Sequence, residues 1–526
     1  MHNRKGISYY FLIIVMVAMM AWPAIVNGQP FFFPDTTTYV RSADFPIHLA
    51  SGGRISTVWT RSEDAAAHRS PTARPASPPA DQDAAAPKRG NDLSSGFIMG
   101  GRSPYFGFGL YLTYVLSNFW LFVAIGSILS LWLVRLALRA IGIEDDRTFL
   151  LTAALLALLT PLPFYTSYLL ADIFAGLGML ALAVLAASRG PMGRRDRLVL
   201  AGLVILCIMS HPTHVLIILA MTVTAAIMAA FRLLPRANAR FALGTGAVAV
   251  ALAVAGTMLT NFAIERTFGH PPHMAPLLTA RFIGDGPGAR YIREYCPGAD
   301  FTVCRFADRI APTSGAFLWS TDKRDGVFLF ATDAERKALS AEDIPFALAV
   351  LKTYPIEQAG MIVKNSLLQA AMFDDRWLNY SCKAEARCWR TVPEPIRQRM
   401  AASPAGRGLW PTGALSIIHY GTVGIALLTM AAAGIAALRR RRDERDPLTA
   451  GERAVWAWIA LIAVGLAVNA FLGGALSDPQ SRYQGRVIWL VPFTAWMLVM
   501  ARRQSRSAPA FQAVPATPLA EASPVA

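Results

Sequence analysis

The first polar segment of the chain, QPFFFPDTTTYVRSAD (29–44), follows a long apolar run and contains an acidic residue, Asp35. A carboxylate just outside a membrane span is costly to keep near lipid unless it has a function. Asp35 is therefore a candidate general base, a group that takes the proton of an attacking hydroxyl. Tyr39 of the same segment is a candidate substrate contact. The structural alternative is that Asp35 caps a short helix, because aspartate before TTTYV is a reasonable N-cap.

Two arginines near the other end of the chain have the chemistry for binding phosphate. Arg482 and Arg486 lie one helical turn apart in SDPQSRYQGRVIWLVPF (477–493), with Tyr483 between them. An arginine can bind a phosphate through two parallel hydrogen bonds. The alternative is that both arginines anchor a helix at the membrane surface. The positive-inside rule disfavours arginine on the outer side, and this favours the phosphate interpretation.

Three further polar residues are candidates for the same site. Asp172 ends PLPFYTSYLLAD (161–172), and His211 and His214 flank a proline in SHPTH (210–214). Asp172 could be a second carboxylate of the reaction, or it could cap the helix that follows. The histidines could contact substrate, or they could be partly solvated groups at an interface. A base, a departing phosphate and its cations together suit transfer of a phosphate-linked sugar with inversion at the anomeric carbon.

These residues must be positioned by membrane helices. Of 526 residues, 54% are hydrophobic and 16% are charged, against about 25% charged in soluble proteins. Apolar blocks close to 20 residues long match the thickness of a bilayer. The sequence predicts a polytopic α-helical membrane protein with about ten spans: 8–27, 110–138, 148–163, 169–188, 198–211, 213–231, 241–262, 411–438, 453–474 and 485–501.

Lysine and arginine orient these spans. Five basic segments, 135–147, 188–197, 232–240, 439–446 and 501–506, alternate with the spans so that all five face the cytoplasm. The N- and C-termini are then cytoplasmic, and all the candidate residues lie at the outer face. The first apolar block is interpreted as a retained span, because it is long for a signal peptide and lacks a clear cleavage site. The net charge of +16 could suggest nucleic-acid binding. The sequence shows no basic face with interleaved aromatics, so nucleic-acid binding is not predicted.

The predicted organisation is a first span (1–27), an outer loop (28–109), spans two to seven (110–262), an outer domain of mixed character (263–410), spans eight to ten (411–501) and a disordered cytoplasmic tail (502–526). The middle of the outer loop, 61–92, has the composition of a disordered insertion. In the outer domain, two close pairs, Cys296 with Cys304 and Cys382 with Cys388, indicate disulfides in an oxidising compartment. A zinc site is the alternative, but nearby histidines lack a ligand spacing.

The motifs PDTTTY, Asp172 and SRY (481–483) resemble those of the GT-C superfamily of integral-membrane glycosyltransferases, which use polyprenyl-phosphate-linked sugars. The resemblance covers most of the membrane part, and the motifs are short. It implies that Asp35 is the catalytic base and Asp172 the carboxylate of the second outer loop. The chain lacks a DxD or paired-acid motif beside Asp35, which leaves a requirement for a divalent cation open; no metal ligand is predicted.

The sequence therefore leads us to expect an enzyme of a bacterial inner membrane that transfers a sugar from a polyprenyl-phosphate donor to an envelope glycan, lipid or protein on the periplasmic face. A polymerase or ligase of lipid-linked polysaccharide is the first alternative and would depend on His211 and the arginines. A transporter is the second, although no internal repeat or broken helix at mid-membrane is evident. A non-catalytic envelope protein is the last.

Overall fold

All regular elements of the described residues are helices, which satisfy their own backbone hydrogen bonds without water. The computed structural model describes residues 12–61, 97–190, 192–296, 298–380, 389, 392–440 and 448–507. Within these ranges there is no strand, and the isolated bridges Phe31–Tyr168 and Met99–His273 are the only β-type pairings.

The α-helices longer than one turn are α1 (12–20), α2 (Trp22–Asn27), α3 (Pro34–Ala50), α4 (Pro104–Ser117), α5 (Trp120–Ala140), α6 (Asp146–Leu159), α7 (Leu162–Ser167), α8 (Asp172–Ala186), α9 (Arg194–Ser210), α10 (Pro212–Ala230), α11 (Arg236–Phe268), α12 (Leu277–Asp285), α13 (Pro287–Tyr295), α14 (Ser314–Trp319), α15 (Asp333–Ala341), α16 (Asp343–Thr353), α17 (Pro355–Ala371), α18 (Glu394–Ala402), α19 (Thr412–Arg440), α20 (Ala450–Gly474), α21 (Ser481–Ile488) and α22 (Leu490–Ser507). Short 3₁₀ helices occupy Thr302–Arg309 and Arg376–Leu378.

Six helices of the described chain are long and apolar enough to cross a membrane, so the chain has the build of a helical membrane protein. They are Trp120–Ala140, Pro212–Ala230, Arg236–Phe268, Thr412–Arg440, Ala450–Gly474 and Ser481–Gln504, the last formed by α21 and α22. Each overlaps one of the ten predicted spans. The number ten is not confirmed.

The four remaining predicted spans are shorter or broken helices. Predicted span 148–163 forms α6, whose 14 residues rise only about 21 Å, and Pro161 cannot continue it. Span 169–188 forms the 15-residue α8, and span 198–211 the 17-residue α9. The described part of span 8–27 is interrupted at Ala21, just before Pro23. Hydropathy predicts correctly that these segments are apolar, but it does not predict where their helices end.

Helix α8 lies at the centre of the membrane part. Every residue from Asp172 to Ala186 is buried, and α8 packs against α5, α9, α10, α11, α20 and α21. A helix that is apolar on all sides is expected to be enclosed in this way. Asp172, the first residue of α8, is thereby held inside the protein.

The described residues of the five basic segments lie at one end of the helix bundle. Contacts join them in series: Arg139 with Asp196, Ser188 with Asn238, the carbonyl of Gly142 with Gln504, and Glu452 with both Arg440 and Arg502. Asp172 lies at the opposite end of α8, about 22 Å away at 1.5 Å per residue. The candidate residues and the basic segments therefore occupy opposite ends of the bundle.

The predicted outer unit 263–410 is helical in its described residues rather than mixed, and it has two parts. Helices α12 to α16 enclose their own core, built around Phe282, Phe306 and Phe346. The described residues between 378 and 410 instead pack into the core of the membrane helices. The sequence predicted one separate domain here, whereas among the described residues only the first part has a core of its own.

One of the two predicted disulfides is confirmed. Cys296 and Cys304 are bonded beside the core of the outer part, with their Cα atoms 5.5 Å apart. The second predicted disulfide, between Cys382 and Cys388, is not confirmed, because Cys382 and Cys388 both lie outside the described residues. Residues 62–92 of the predicted insertion and the predicted tail after residue 507 also lie outside them, whereas residue 61 and residues 502–507 are helical rather than disordered.

Candidate functional site

Asp172 bonds both arginines of α21, Arg482 and Arg486. Its Oδ2 accepts a hydrogen bond from Arg482 Nη1 at 2.7 Å, and its Oδ1 accepts one from Arg486 Nη1 at 2.8 Å. All three side chains are at most 8% exposed. Both carboxylate oxygens are thus engaged at the N-terminus of α8, where negative charge is favourable. Asp172 lies in the first turn of α8, as its alternative role at the helix N-terminus requires, but its two oxygens bond the arginines.

Asn469 and Tyr165 also hold the two arginines in place through hydrogen bonds. Asn469 Oδ1, in span α20, accepts from Arg486 Nε at 3.1 Å and from Nη2 at 2.7 Å. The Tyr165 hydroxyl donates to the backbone carbonyl of Arg482 at 2.8 Å. A Cβ added at Gly485 would lie 2.3 Å from the Tyr165 hydroxyl oxygen, so this approach requires glycine. Three separate elements therefore fix the position of α21.

Arg482 also reaches the segment that carries Asp35. Its guanidinium carbon lies 4.3 Å from the ring centroid of Phe33 and 4.9 Å from that of Tyr483, both cation–π distances. Its Nε is buried and has no hydrogen-bond partner among the described residues. Two arginines and one carboxylate leave a net positive charge in this cluster. A buried N–H donor and excess positive charge are both stabilised by an added anion.

Asp35 is the more accessible carboxylate. It is the second residue of α3, where Phe33 occupies the N-cap position and the Thr36 hydroxyl accepts from the Phe33 backbone N–H. Asp35 is therefore not the N-cap. Its Oδ1 forms a 2.9 Å ion pair with Arg102, and the side chains of Asp35 and Arg102 are 27% and 33% exposed. No hydrogen bond to its Oδ2 is found among the described residues, so that oxygen is available to a substrate.

Tyr39 lies near both the Asp35–Arg102 ion pair and the Asp172–Arg482–Arg486 cluster. Burial raises the pKa of its hydroxyl, and Arg102, Asp35, Asp172 and Arg482 are all near enough for their charges to act on it. The charge of Asp35 likewise raises the pKa of Arg102, against the opposing effect of burial. The side chains that the sequence singled out from three distant segments are thus close together in space.

A short backbone pairing brings the two carboxylate segments together. Phe31 N–H donates to the Ser167 carbonyl at 2.9 Å, and Leu169 N–H donates to the Phe31 carbonyl at 3.0 Å. The Thr36 hydroxyl donates to the Leu169 carbonyl at 3.1 Å. These bonds fix the start of α3 beside the residues that lead into α8. The two segments that carry Asp35 and Asp172 therefore lie next to each other.

The segment that carries Arg102 is fixed by a second close approach. Ser103 caps α4 and donates its hydroxyl to the Met209 carbonyl at 2.6 Å. Gly107 faces α3, and a Cβ there would lie 2.5 Å from the Tyr39 carbonyl oxygen. The small residue lets α4 lie against α3, which places Arg102 over Tyr39.

The two histidines lie beside this cluster and have structural partners. His211 is the N-cap of α10, where its Nδ1 accepts from Thr213 N–H at 3.2 Å, and Asp172 and Arg486 are near enough for their charges to act on its ring. His214 is buried, with Nδ1 2.9 Å from the Cys207 carbonyl. Substrate contact by either histidine stays a prediction.

Two residues of the site were missed by sequence reasoning. Arg102 lies in the part of the outer loop that follows the insertion, and an arginine on the outer side already departs from the positive-inside rule. Asn469 is a single amide in an apolar span, which is costly in lipid unless it faces a partner. Both signals were visible in the sequence, but neither showed which residue would be the partner.

Other polar motifs have structural roles. Asp374 accepts from the Ser481 hydroxyl, and Asp375 bonds the His419 ring. Asp478 pairs with Arg281 of the outer part at 3.3 Å. Cys207 is buried. Among the described residues no group of three or more His, Cys, Asp and Glu side chains is arranged to hold a metal ion.

The chain has no match among known protein families, proteins of known function or solved structures. What the site can do must therefore be argued from its own geometry. A partly exposed carboxylate lies beside a buried, net positive arginine pair at one end of a membrane helix bundle. This arrangement can accept a proton and bind an anionic group at neighbouring positions.

Proposed function

We propose that this chain is a membrane glycosyltransferase that takes a sugar from a polyprenyl-phosphate donor and transfers it to an envelope glycan, lipid or protein. The observation that carries the proposal is the position of Asp35 near the Asp172–Arg482–Arg486 cluster, since the Arg482 guanidinium carbon lies 4.3 Å from the ring centroid of Phe33 in the same segment. The resemblance of the motifs to GT-C enzymes is consistent with it. The site would face the periplasm of a bacterial inner membrane, opposite the basic segments, with both termini cytoplasmic.

Each residue has a defined part in the proposed reaction. The acceptor hydroxyl oxygen attacks the anomeric carbon, and Asp35 takes its proton. The bond between the anomeric carbon and the phosphate oxygen breaks, and the electron pair leaves with the polyprenyl phosphate. Arg482 and Arg486 stabilise the phosphate charge that develops, because they are fixed before the reaction starts. Attack opposite to the leaving group inverts the configuration.

Asp172 acts in this scheme as a positioning residue for the arginines. Both of its oxygens are already engaged, so it holds the guanidinium groups rather than the acceptor. Arg102 would hold the Asp35 carboxylate in position through their ion pair. These assignments leave Asp35 as the single carboxylate of the cluster with a free oxygen among the described residues.

The test uses a strain that lacks the chain, with profiling of its envelope glycans and lipids. Wild-type protein should restore the missing sugar, whereas Asp35→Asn should not, because an amide cannot accept the proton. Asp35→Glu should restore it in part, and Asp146→Asn, at the basic end, fully. Full restoration by Asp35→Asn, with loss in His211→Ala, would favour the polymerase or ligase alternative.

A further inference from the structure

Helix α17 buries the residues that a surface helix normally exposes. Its buried residues are Gln358, Asn365 and Gln369, and all are amides. They are spaced by seven and four positions, so they lie on one face of the helix. Each makes a hydrogen bond inside the protein, and this compensates for the loss of water.

The opposite face of α17 is exposed and apolar. Ile356, Val363 and Leu367 have the same spacing on that face and are 85%, 58% and 67% exposed. In water a surface helix turns its apolar face inward, because exposed apolar area is unfavourable. The inverted arrangement indicates that the surroundings of α17 are apolar.

The contacts of α17 place its C-terminal end at the level of the membrane helices. The helix packs along span α20, where Asn365 contacts Gly474. The carbonyl of Ala371 accepts from the hydroxyl of Tyr420, which lies eight residues, or roughly 12 Å, inside span α19. The apolar face of α17 therefore lies at the same depth as the lipid-facing ends of spans α19 and α20.

The N-terminal end of α17 is attached to the outer part. Gln358 donates to Asp285 Oδ2 at 2.9 Å, and Asn365 donates to its Oδ1 at 2.8 Å. The next helix toward the N-terminus, α16, also exposes apolar side chains one turn apart, Ile344 and Leu348. Lys364 suits a position at the membrane surface, since the stem of lysine can lie on lipid while its ammonium reaches water.

We infer that α17 lies in the outer leaflet of the membrane, with Ile356, Val363 and Leu367 in contact with lipid chains. The amide face then links this leaflet to the site. Gln369 donates to the Gln480 carbonyl at 2.9 Å and accepts from the Gln480 N–H at 2.8 Å, two residues before Arg482. The depth of α17 in the membrane thus sets the depth of the segment that leads into α21. It would do so whether or not the chain transfers a sugar.

The experiment measures the surroundings of single positions in the full-length protein reconstituted in liposomes. Ile356→Cys, Val363→Cys and Leu367→Cys are labelled with a polarity-sensitive fluorophore. Arg305→Cys, an exposed position on the outer part, is the matched control. Unsubstituted protein treated in the same way measures labelling of the native cysteines.

Nitroxide-labelled acyl chains should quench the probe at 363 and 367, and aqueous iodide should not, with the reverse at 305. A nitroxide near the headgroup should quench 356 more than 367, because the C-terminal end of α17 lies deeper. Quenching by iodide at 363 and 367 as strong as at 305 would place α17 in water and overturn the inference. Protection from both quenchers would indicate cover by protein, such as a second copy, and would overturn it as well.

Discussion

Asp172 and Arg482 are separated by 310 residues in the chain, yet their side chains form a 2.7 Å ion pair at the start of α8, a helix with every residue buried. Arg486 shares the same carboxylate. A buried carboxylate with two arginines is stable only while all three are present, because desolvation leaves any unpaired charge at high cost. Asp35, nearby and partly exposed, is under no such constraint.

The first prediction separates these two carboxylates by stability. Asp172→Ala should lower the free energy of unfolding by about 3–5 kcal/mol, since it leaves two buried arginines without their partner. Asp35→Asn should cost less than about 1 kcal/mol, as for other partly exposed ion pairs. Thermal unfolding of the purified variants in the same lipid nanodiscs measures the difference. Equal melting temperatures would contradict the assignment of Asp172 as the buried partner of both arginines.

The second prediction concerns the contact between α21 and Tyr165. Gly485→Ala places a methyl group 2.3 Å from the Tyr165 hydroxyl oxygen and should destabilise the protein by about 1–3 kcal/mol through overpacking. Removing that oxygen with Tyr165→Phe in the same protein should recover part of the loss, because the nearest ring atom is then 3.2 Å away. The four proteins form a double-mutant cycle by thermal unfolding, and strict additivity of the two changes would argue against this contact.

The third prediction tests Arg482 as a ligand of phosphate. Arg482→Lys keeps the charge but loses Nε and the planar group that lies on Phe33. Loss of one charged hydrogen bond of about 1.5–3 kcal/mol should weaken polyprenyl phosphate binding roughly 10- to 150-fold. Arg139→Lys, at the basic end, is the control and should bind normally. Unchanged affinity in Arg482→Lys would remove this residue from the donor site.

The fourth prediction fixes which end of the bundle faces outward. Cysteines replace two side chains of nearly equal exposure, Arg305 on the outer part (71%) and Asp146 at the basic end (70%). In intact cells with a permeable outer membrane, an impermeant maleimide should label Arg305→Cys, and Asp146→Cys only after lysis. The reverse pattern would invert the topology and place the candidate site in the cytoplasm.

Much of the architecture could be predicted from the sequence, because it depends on composition along the chain. The apolar blocks determine a helical membrane protein, and the arginine-rich segments determine which helix ends lie together, since charge is excluded from lipid. The disulfide Cys296–Cys304 is a local pairing and could likewise be predicted. Helix ends were less certain: the breaks at Ala21 and Pro161 interrupt segments that are apolar throughout.

The tertiary structure decided how the charged residues are used. Asp35, Asp172 and Arg482 were candidates from their types alone, but only packing showed that Asp172 is buried between two arginines while Asp35 pairs with Arg102. Such pairings depend on close approaches at Gly107 and Gly485 and on a single backbone bridge at Phe31. Hydropathy describes how one residue interacts with its solvent. The pairings are interactions between residues hundreds of positions apart, which no property of a local segment contains.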